Sequence, residues 1–191
     1  HPYDRDDLSA FHVHVDAKDL RWSNMYRLLD VYSRLEPILY ILGGQKRYRN
    51  SYALPAGNDY AEALLSTDRK GAVLSVAYNT DNGRRISRSV KPKKKGHNSG
   101  RYKGLNISPW LYGRRNHSPR SDTTVEFRIH RDTLDSSRLI GWVYLLHDIV
   151  DFAAKDLSTS LPDNNLDLIR MISPRSANFV AHRVNEWRKY I

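Results

Sequence analysis

The fold is decided by two stretches of sequence, Phe11-His12-Val13-His14-Val15-Asp16 and Val125-Glu126-Phe127-Arg128-Ile129-His130. Both alternate apolar and polar residues, which is typical of strands, because successive side chains of a strand point to opposite faces of its sheet. The polar residues that share a face are His12, His14 and Asp16 in the first strand, and Glu126, Arg128 and His130 in the second. We therefore predict a sheet with one apolar face on a core and one polar face able to bind metal and phosphate.

Composition narrows the class of protein. The chain has 191 residues, of which 40% are hydrophobic and 27% charged, and this suits one folded domain. No apolar run approaches the ~20 residues that a membrane span needs, so we expect no membrane association. The absence of cysteine excludes disulfides, cysteine-ligated zinc and thiol catalysis. It fits a reducing compartment, and we expect a cytoplasmic protein.

The net charge of +10 is concentrated in one segment. Nine of the 31 basic residues lie between Asn79 and Lys103, where Asp81 is the one acidic residue. Most of this segment, residues 79–100, is rich in Asn, Gly, Ser and Lys, and it contains the turn dipeptide Asn82-Gly83. We predict a long basic loop there. A solvated loop, a lid over ATP phosphates and a nucleic-acid contact all fit it.

The remaining pattern predicts an α+β protein with helices packed on one face of a mostly antiparallel sheet. Strands are expected near residues 11–15, 72–78, 103–108 and 123–130. Helices are expected from Ser23 to Gly43, with a kink or a division at Pro37, and over residues 59–65, 136–155, 165–172 and from Ser173 onward. Residues 111–122 read as a basic turn region.

Several motifs occur in an order that resembles the amidoligase family, which comprises carboxylate–amine ligases related to glutamine synthetase and glutamate–cysteine ligase. The motifs are His12-Val13-His14-Val15, Arg34-Leu35-Glu36-Pro37-Ile38-Leu39-Tyr40, Arg47-Tyr48-Arg49-Asn50-Ser51-Tyr52, Arg101-Tyr102-Lys103-Gly104-Leu105-Asn106, Thr124-Val125-Glu126-Phe127-Arg128 and Thr133-Leu134-Asp135. On this basis we expect one amidoligase-like domain over residues 1–191, with the family core at 9–155, the basic loop at 79–100 and C-terminal helices at 156–191.

The resemblance implies a glutamine synthetase-like fold, in which a curved antiparallel sheet holds ATP and Mg²⁺ or Mn²⁺. It implies an ATP-dependent ligase that activates a carboxylate as an acyl phosphate, which an amine then attacks to form an amide or peptide bond. The partners would be a carboxylate substrate and an amine acceptor, each a small molecule or a peptide.

The resemblance also implies site residues. The implied metal ligands are His12, His14 and Glu126. The implied catalytic residues are Glu126, Arg128 and Arg101. The implied cofactor-binding residues are Arg101, Lys103, Asn106 and Arg128. Arginine suits such a site because its planar guanidinium pairs with two phosphate or carboxylate oxygens at once.

Two departures from the family pattern lie at the start of the chain. The family usually has Cys-Gly-Leu before the His-x-His motif, where this chain has Ser9-Ala10-Phe11. The family also begins with a strand that carries Glu-x-Glu, and the acidic residues before His12 are Asp4, Asp6 and Asp7 instead. We expect either that the chain is a piece of a longer protein, or that its fold lacks that first strand and its metal site is incomplete.

Two other functions fit parts of the sequence. One is a non-catalytic relic of the ligase fold that binds nucleic acid or protein through its basic loop. The other is a single-strand endonuclease, in which a His-hydrophobe-His strand binds metal and a tyrosine attacks DNA. Such enzymes often carry Tyr-x-x-Lys, and none of the twelve tyrosines here has that spacing.

Overall fold

The strands and helices are interleaved along the chain. The computed structural model describes residues 10–44, 53–66, 68–78, 103–116, 123–155 and 158–188. The described elements, in chain order, are β1 (Ala10–Asp16), α1 (Trp22–Gly43), α2 (Gly57–Ser66), α3 (Arg69–Tyr78), β2 (Leu105–Asn106), α4 (Ser108–Asn116), β3 (Thr124–Arg131), α5 (Ser136–Lys155), α6 (Asn165–Ile172), a short 3₁₀ turn (Pro174–Ser176) and α7 (Ala177–Arg188). This confirms the α+β class.

The described strands form one antiparallel sheet in the order β1-β3-β2. The strand that comes last in sequence is therefore central, and the two strands at its sides come from distant parts of the chain. In β3, Val125, Phe127 and Ile129 are fully buried in the core. Alternation along the strand gives Glu126 and Arg128 the other face, as the sequence predicts.

Helix α1 is continuous from Trp22 to Gly43, and Pro37 lies inside it at an exposed position. The alternative of two separate helices divided at Pro37 is therefore wrong. Helix α5 matches its predicted bounds, and its buried face includes Trp142 and Leu146. Of the helices that the structure describes, none is both long and apolar enough to cross a membrane.

The predicted strand over residues 72–78 is wrong, because this segment belongs to α3. Its apolar and β-branched residues read equally well as a buried strand or a buried helix when the run is this short. The deciding contacts lie just before it, where Asp68 Oδ1 accepts hydrogen bonds from the backbone N–H groups of Lys70 and Gly71, both at 2.9 Å. A side chain that caps the first turn in this way starts a helix.

The predicted turn region over residues 111–122 is also wrong in its first part, where the chain forms α4. Proline at the second helical position, Pro109, is a favourable start, since the first-turn N–H groups have no intrahelical partner. Asn106 Oδ1 accepts the N–H of Ser108 at 3.0 Å and so caps this helix from the end of β2. Residues 117–122 lie outside the described residues.

Helix α2 is tied to α1 by a buried carboxylate. Glu36 accepts hydrogen bonds from the Tyr32 hydroxyl at 2.7 Å, from Ala56 N at 2.8 Å and from Gly57 N at the first turn of α2. Burial raises the pKa of Glu36 above its usual value, although these donors and the charge of Lys103 act in the opposite direction. The family motif around Glu36 thus has a structural use here, which the sequence did not reveal.

The C-terminal helices are joined to α5 by a second carboxylate. Asp148 accepts hydrogen bonds from the Ser173 hydroxyl and from Arg175 Nε at 2.8 Å, and the Arg175 guanidinium lies 4.3 Å from the ring centre of Tyr144. Ser173 is fully buried. We therefore interpret this group as a clamp between helices and not as a nucleophilic site.

Replacing Gly104 by alanine is expected to destabilise the fold by about 2 kcal/mol, as overpacking of a dense core does. A Cβ atom at this position would lie 2.5 Å from the Tyr32 hydroxyl, 2.9 Å from the Tyr40 hydroxyl and 3.0 Å from Ile129 Cγ1. Urea unfolding checks the prediction. An unchanged midpoint would show that the contact between this segment and α1 is looser than described.

Candidate active site

The polar cluster is centred on Glu126, in the middle strand of the sheet. Its register partner on β1 is His14, and its register partner on β2 is Asn106. Opposite residues on neighbouring strands point to the same face and lie within side-chain reach of one another. Antiparallel pairing therefore brings together residues that are separated by 112 and 20 positions in the sequence.

Each carboxylate oxygen of Glu126 has nitrogen neighbours. Oε1 accepts a hydrogen bond from Arg128 Nη1 at 2.9 Å and lies 3.1 Å from His12 Nδ1. Oε2 accepts a hydrogen bond from Asn106 Nδ2 at 2.8 Å. His14 Nε2 is 3.7 Å from Oε1, which is too long for a hydrogen bond. Four predicted site residues thus surround Glu126, and the group includes residues of all three described strands. The four are His12, His14, Asn106 and Arg128.

An irregularity in the pairing of β1 with β3 lies beside His12. Phe11 pairs with His130, whereas Val13 pairs with Phe127, so β3 has one more residue than β1 over this stretch. Such a bulge bends the strand and changes the direction of nearby side chains. His12 and His14 share one face of β1 by alternation, and both lie within 4 Å of the carboxylate of Glu126.

The cluster has a buried floor and a more exposed side. Asn106, Glu126 and Arg128 are buried, whereas the side chains of His12 and His14 are 32% and 50% exposed. Burial alone would raise the pKa of Glu126, but the hydrogen bonds from His12 and Asn106 and the charge of Arg128 outweigh it and lower that pKa to about 2. Glu126 is therefore a carboxylate at neutral pH, and its charge offsets that of Arg128.

The described cluster does not fit a divalent cation. Among the residues that the structure describes, no three His, Asp or Glu side chains are arranged to hold a metal ion. The oxygens of Glu126 face N–H donors, and the Arg128 guanidinium would lie beside any cation bound there. Mg²⁺ prefers several oxygen ligands. The three predicted ligands, His12, His14 and Glu126, do converge, but the Glu126 oxygens face His12, Asn106 and Arg128, while His14 Nδ1 lies 3.1 Å from Thr124 Oγ1.

Other candidates lie away from Glu126. The His130 ring packs against Trp142, at 5.0 Å between ring centres, and against Phe11 at 6.3 Å. Burial lowers its pKa. Simple alternation places His130 on the polar face with Glu126 and Arg128, whereas its ring lies in the core. The register of β1 and β3 shifts between Phe127 and His130, which accounts for the difference. Asp16 is exposed, and its Oδ1 accepts the N–H of Lys18 at 3.0 Å.

The two basic candidates of the Arg101–Asn106 motif have different outcomes. Lys103 forms an ion pair with Asp59 of α2, at 2.8 Å, and this places its ammonium group in a helix contact. Its predicted contact with a cofactor stays a prediction. Arg101 lies outside the described residues, as does the whole of the predicted basic loop, residues 79–100.

Sequence reasoning missed two groups that hold the cluster in place. Thr124 Oγ1 lies 3.1 Å from His14 Nδ1, and its position two residues before Glu126 was a usable signal, because alternate residues of a strand share a face. The other is Tyr60, whose hydroxyl donates to the backbone oxygen of Leu105 at 2.7 Å. Nothing in the sequence near Tyr60 indicates that contact.

The fold and the cluster define an α+β protein with a carboxylate–guanidinium–imidazole group on a small antiparallel sheet. A sequence profile for the family described as "Putative amidoligase enzyme" matches residues 4–150, and the chain belongs to this family, whose name denotes enzymes that form a carbon–nitrogen bond. No curated protein and no solved structure matched the chain.

Proposed function

We propose that the protein is an ATP-dependent carboxylate–amine ligase and that the cluster around Glu126 is its active site. The observation that carries the proposal is the convergence of three family motifs on one carboxylate. His12 and His14 come from one motif, Asn106 from a second, and Arg128 from the third, which also contains Glu126; all lie within 4 Å of Glu126. A purely structural sheet face has no need for that convergence.

The proposed reaction has two steps. An oxygen of the substrate carboxylate attacks the γ-phosphorus of ATP, and ADP leaves, which produces an acyl phosphate. The amine nitrogen then attacks the acyl carbon, the bond from that carbon to the phosphate oxygen breaks, and the nitrogen loses one proton. The amide and inorganic phosphate are the products.

The buried residues would contribute mainly by positioning and by electrostatics. The Arg128 guanidinium is planar and permanently charged, so it is suited to the oxygens of a transferring phosphoryl group or of the substrate carboxylate. Glu126 and Asn106 would hold that guanidinium and its surroundings in one arrangement before the substrate arrives, which reduces the reorganisation needed in the reaction. His12 and His14, which are more exposed, would contact the substrates.

ATP and a divalent cation come to this chain from the family resemblance. The described residues alone do not fit the cation, and our scheme uses none in either step. The assay should therefore vary Mg²⁺ and Mn²⁺ as it varies the substrates. Formation of ADP that requires both a carboxylate and an amine would support the ligase. Binding of nucleic acid or protein without any such turnover would favour the relic.

Replacing Arg128 by lysine is expected to lower kcat/KM by about 10²-fold, because an ammonium group cannot pair with two oxygens in one plane. The measurement is ADP release under saturating ATP. Arg175→Lys is a matched control, since Arg175 also pairs with a carboxylate, Asp148, but in the helix clamp. If Arg128→Lys and Arg175→Lys have the same kcat/KM, Arg128 does not belong to the proposed site.

A further inference from the structure

Strand β2 is short, yet it carries a residue of the cluster. It consists of Leu105 and Asn106, which pair with Phe127 and Glu126 of β3. Two residues provide little pairing energy of their own, and a slip by one position would turn Asn106 to the opposite face. Arg128 N of β3 also donates to Gly104 O at 2.8 Å, and Gly104 N donates to Leu54 O at 2.9 Å, so these bonds fix the segment just before β2. The orientation of the Leu105–Asn106 peptide group itself depends on further contacts.

The first turn of α2 supplies two such contacts. The Tyr60 hydroxyl donates to Leu105 O at 2.7 Å, and Lys103 Nζ lies 2.8 Å from Asp59 Oδ2. The Leu105 carbonyl belongs to the peptide group that joins Leu105 to Asn106, so its position sets the direction in which Asn106 leaves the backbone. Tyr60 is nearly fully buried, and its hydroxyl contact is therefore shielded from competing water.

Helix α2 is itself held at the same end. Glu36 of α1 accepts the N–H groups of Ala56 and Gly57, immediately before and at the start of the helix. The negative charge of a carboxylate is favourable at a helix N-terminus. The first turn of α2 is thus anchored to α1, and Tyr60 in this turn contacts the strand that carries Asn106.

We propose that Tyr60 is a positioning residue for the cluster around Glu126, with Asp59 as a weaker second contact. Its hydroxyl holds the Leu105–Asn106 peptide group in the orientation from which Asn106 donates to Glu126 at 2.8 Å. The effect is transmitted through one carbonyl and one side chain. The inference goes beyond the ligase proposal and does not depend on it, because it concerns how the cluster is assembled and not what the cluster does.

The test compares Tyr60→Phe with Tyr26→Phe. Tyr26 is a matched control, since its hydroxyl also donates from one of these two helices to a backbone carbonyl, Leu64 O at 3.0 Å, but at the far end of α2. The measurement is the NMR signal of the Asn106 side-chain amide, which needs no substrate. In Tyr60→Phe this signal should shift, and its hydrogen exchange should accelerate on the order of tenfold, as loss of one hydrogen bond allows. In Tyr26→Phe both should stay as in the wild type.

The proposal is overturned if the Asn106 amide is the same in Tyr60→Phe as in the wild type. It is also overturned if both variants change that amide equally, since the cause would then be a general loosening of α2. Should Tyr60→Phe fail to fold, Asp59→Asn at an exposed position serves instead, and a smaller acceleration at Asn106 is expected. An unchanged Asn106 amide in that variant contradicts the proposal. A protein without ligase activity would leave these readouts fully interpretable.

Discussion

Replacing Glu126 by glutamine is expected to abolish ligase turnover, on the order of 10³-fold, and also to lower the free energy of unfolding by about 3 kcal/mol. The second effect follows from burial. Arg128 and Glu126 are both largely shielded from water, with an Nη1–Oε1 distance of 2.9 Å, and the variant leaves the guanidinium without that negative charge. Activity and urea unfolding are measured on the same protein sample.

A double variant separates the two effects. Glu126→Gln combined with Arg128→Met removes the buried positive charge together with the negative one, so part of the lost stability should return while turnover stays absent. A double-mutant cycle built from the two single variants gives the interaction energy, which we expect to exceed about 1 kcal/mol. If Glu126→Gln alone were as stable and as active as the wild type, the central place of Glu126 would be untenable.

Replacing Glu36 by alanine is expected to destabilise the fold by at least about 3 kcal/mol, because two backbone N–H groups and the Tyr32 hydroxyl lose a buried acceptor. Exposed Glu62 on α2 offers a control, and Glu62→Ala should change stability little. Urea unfolding of both variants at a fixed pH gives the comparison. A small loss of unfolding free energy in Glu36→Ala would mean that water replaces the missing carboxylate as the acceptor.

The same variant has a characteristic pH dependence. The pKa of Glu36 is higher in the folded protein than its ordinary value, so the folded state binds this proton more tightly than the unfolded state does. The favourable contribution of Glu36 to the free energy of unfolding is complete below the ordinary pKa of a glutamate. It declines as the pH rises through the raised pKa of the folded state. The loss of unfolding free energy in Glu36→Ala, relative to the wild type, should therefore be largest at low pH and become smaller as the pH rises. A loss that is the same at every pH would contradict the raised pKa.

Glu126 has the opposite sign. Its pKa falls to about 2 on folding, so its contribution is present above the ordinary value for a glutamate and is lost as the pH falls towards 2. The wild type should thus gain stability from Glu126 and lose it from Glu36 as the pH increases. Comparing unfolding curves of the wild type and Glu36→Ala over that range separates the two carboxylates.

The elements with a sustained pattern could be predicted from the sequence. The strands that contain His12 and Glu126 and the helices α5 and α6 have the expected positions, because each has either strict alternation or a long apolar stripe. The segments α3 and α4 could not be assigned in the same way. Their apolar runs are short, and the caps that start them, Asp68 and Asn106, were not recognised.

The members of the cluster were also largely predictable, whereas their relationship was not. Alternation and the family motifs indicated His12, His14, Glu126 and Arg128, and placed them on one polar face. The alignment of three strands decides that Glu126 and Arg128 are buried and that donors occupy both oxygens of Glu126. Neither the register nor the bulge beside His12 is a property of either strand alone.

By itself, the sequence determined which residue types stand at which positions of β1 and β3, and hence the family and the polar face, because strand periodicity and motif order are local properties of the chain. The tertiary structure alone decided that His130 enters the core, that Lys103 pairs with Asp59, and that Tyr60 reaches Leu105. These contacts join segments that are distant in the chain, and their geometry is set by packing between elements, which a one-dimensional pattern does not contain.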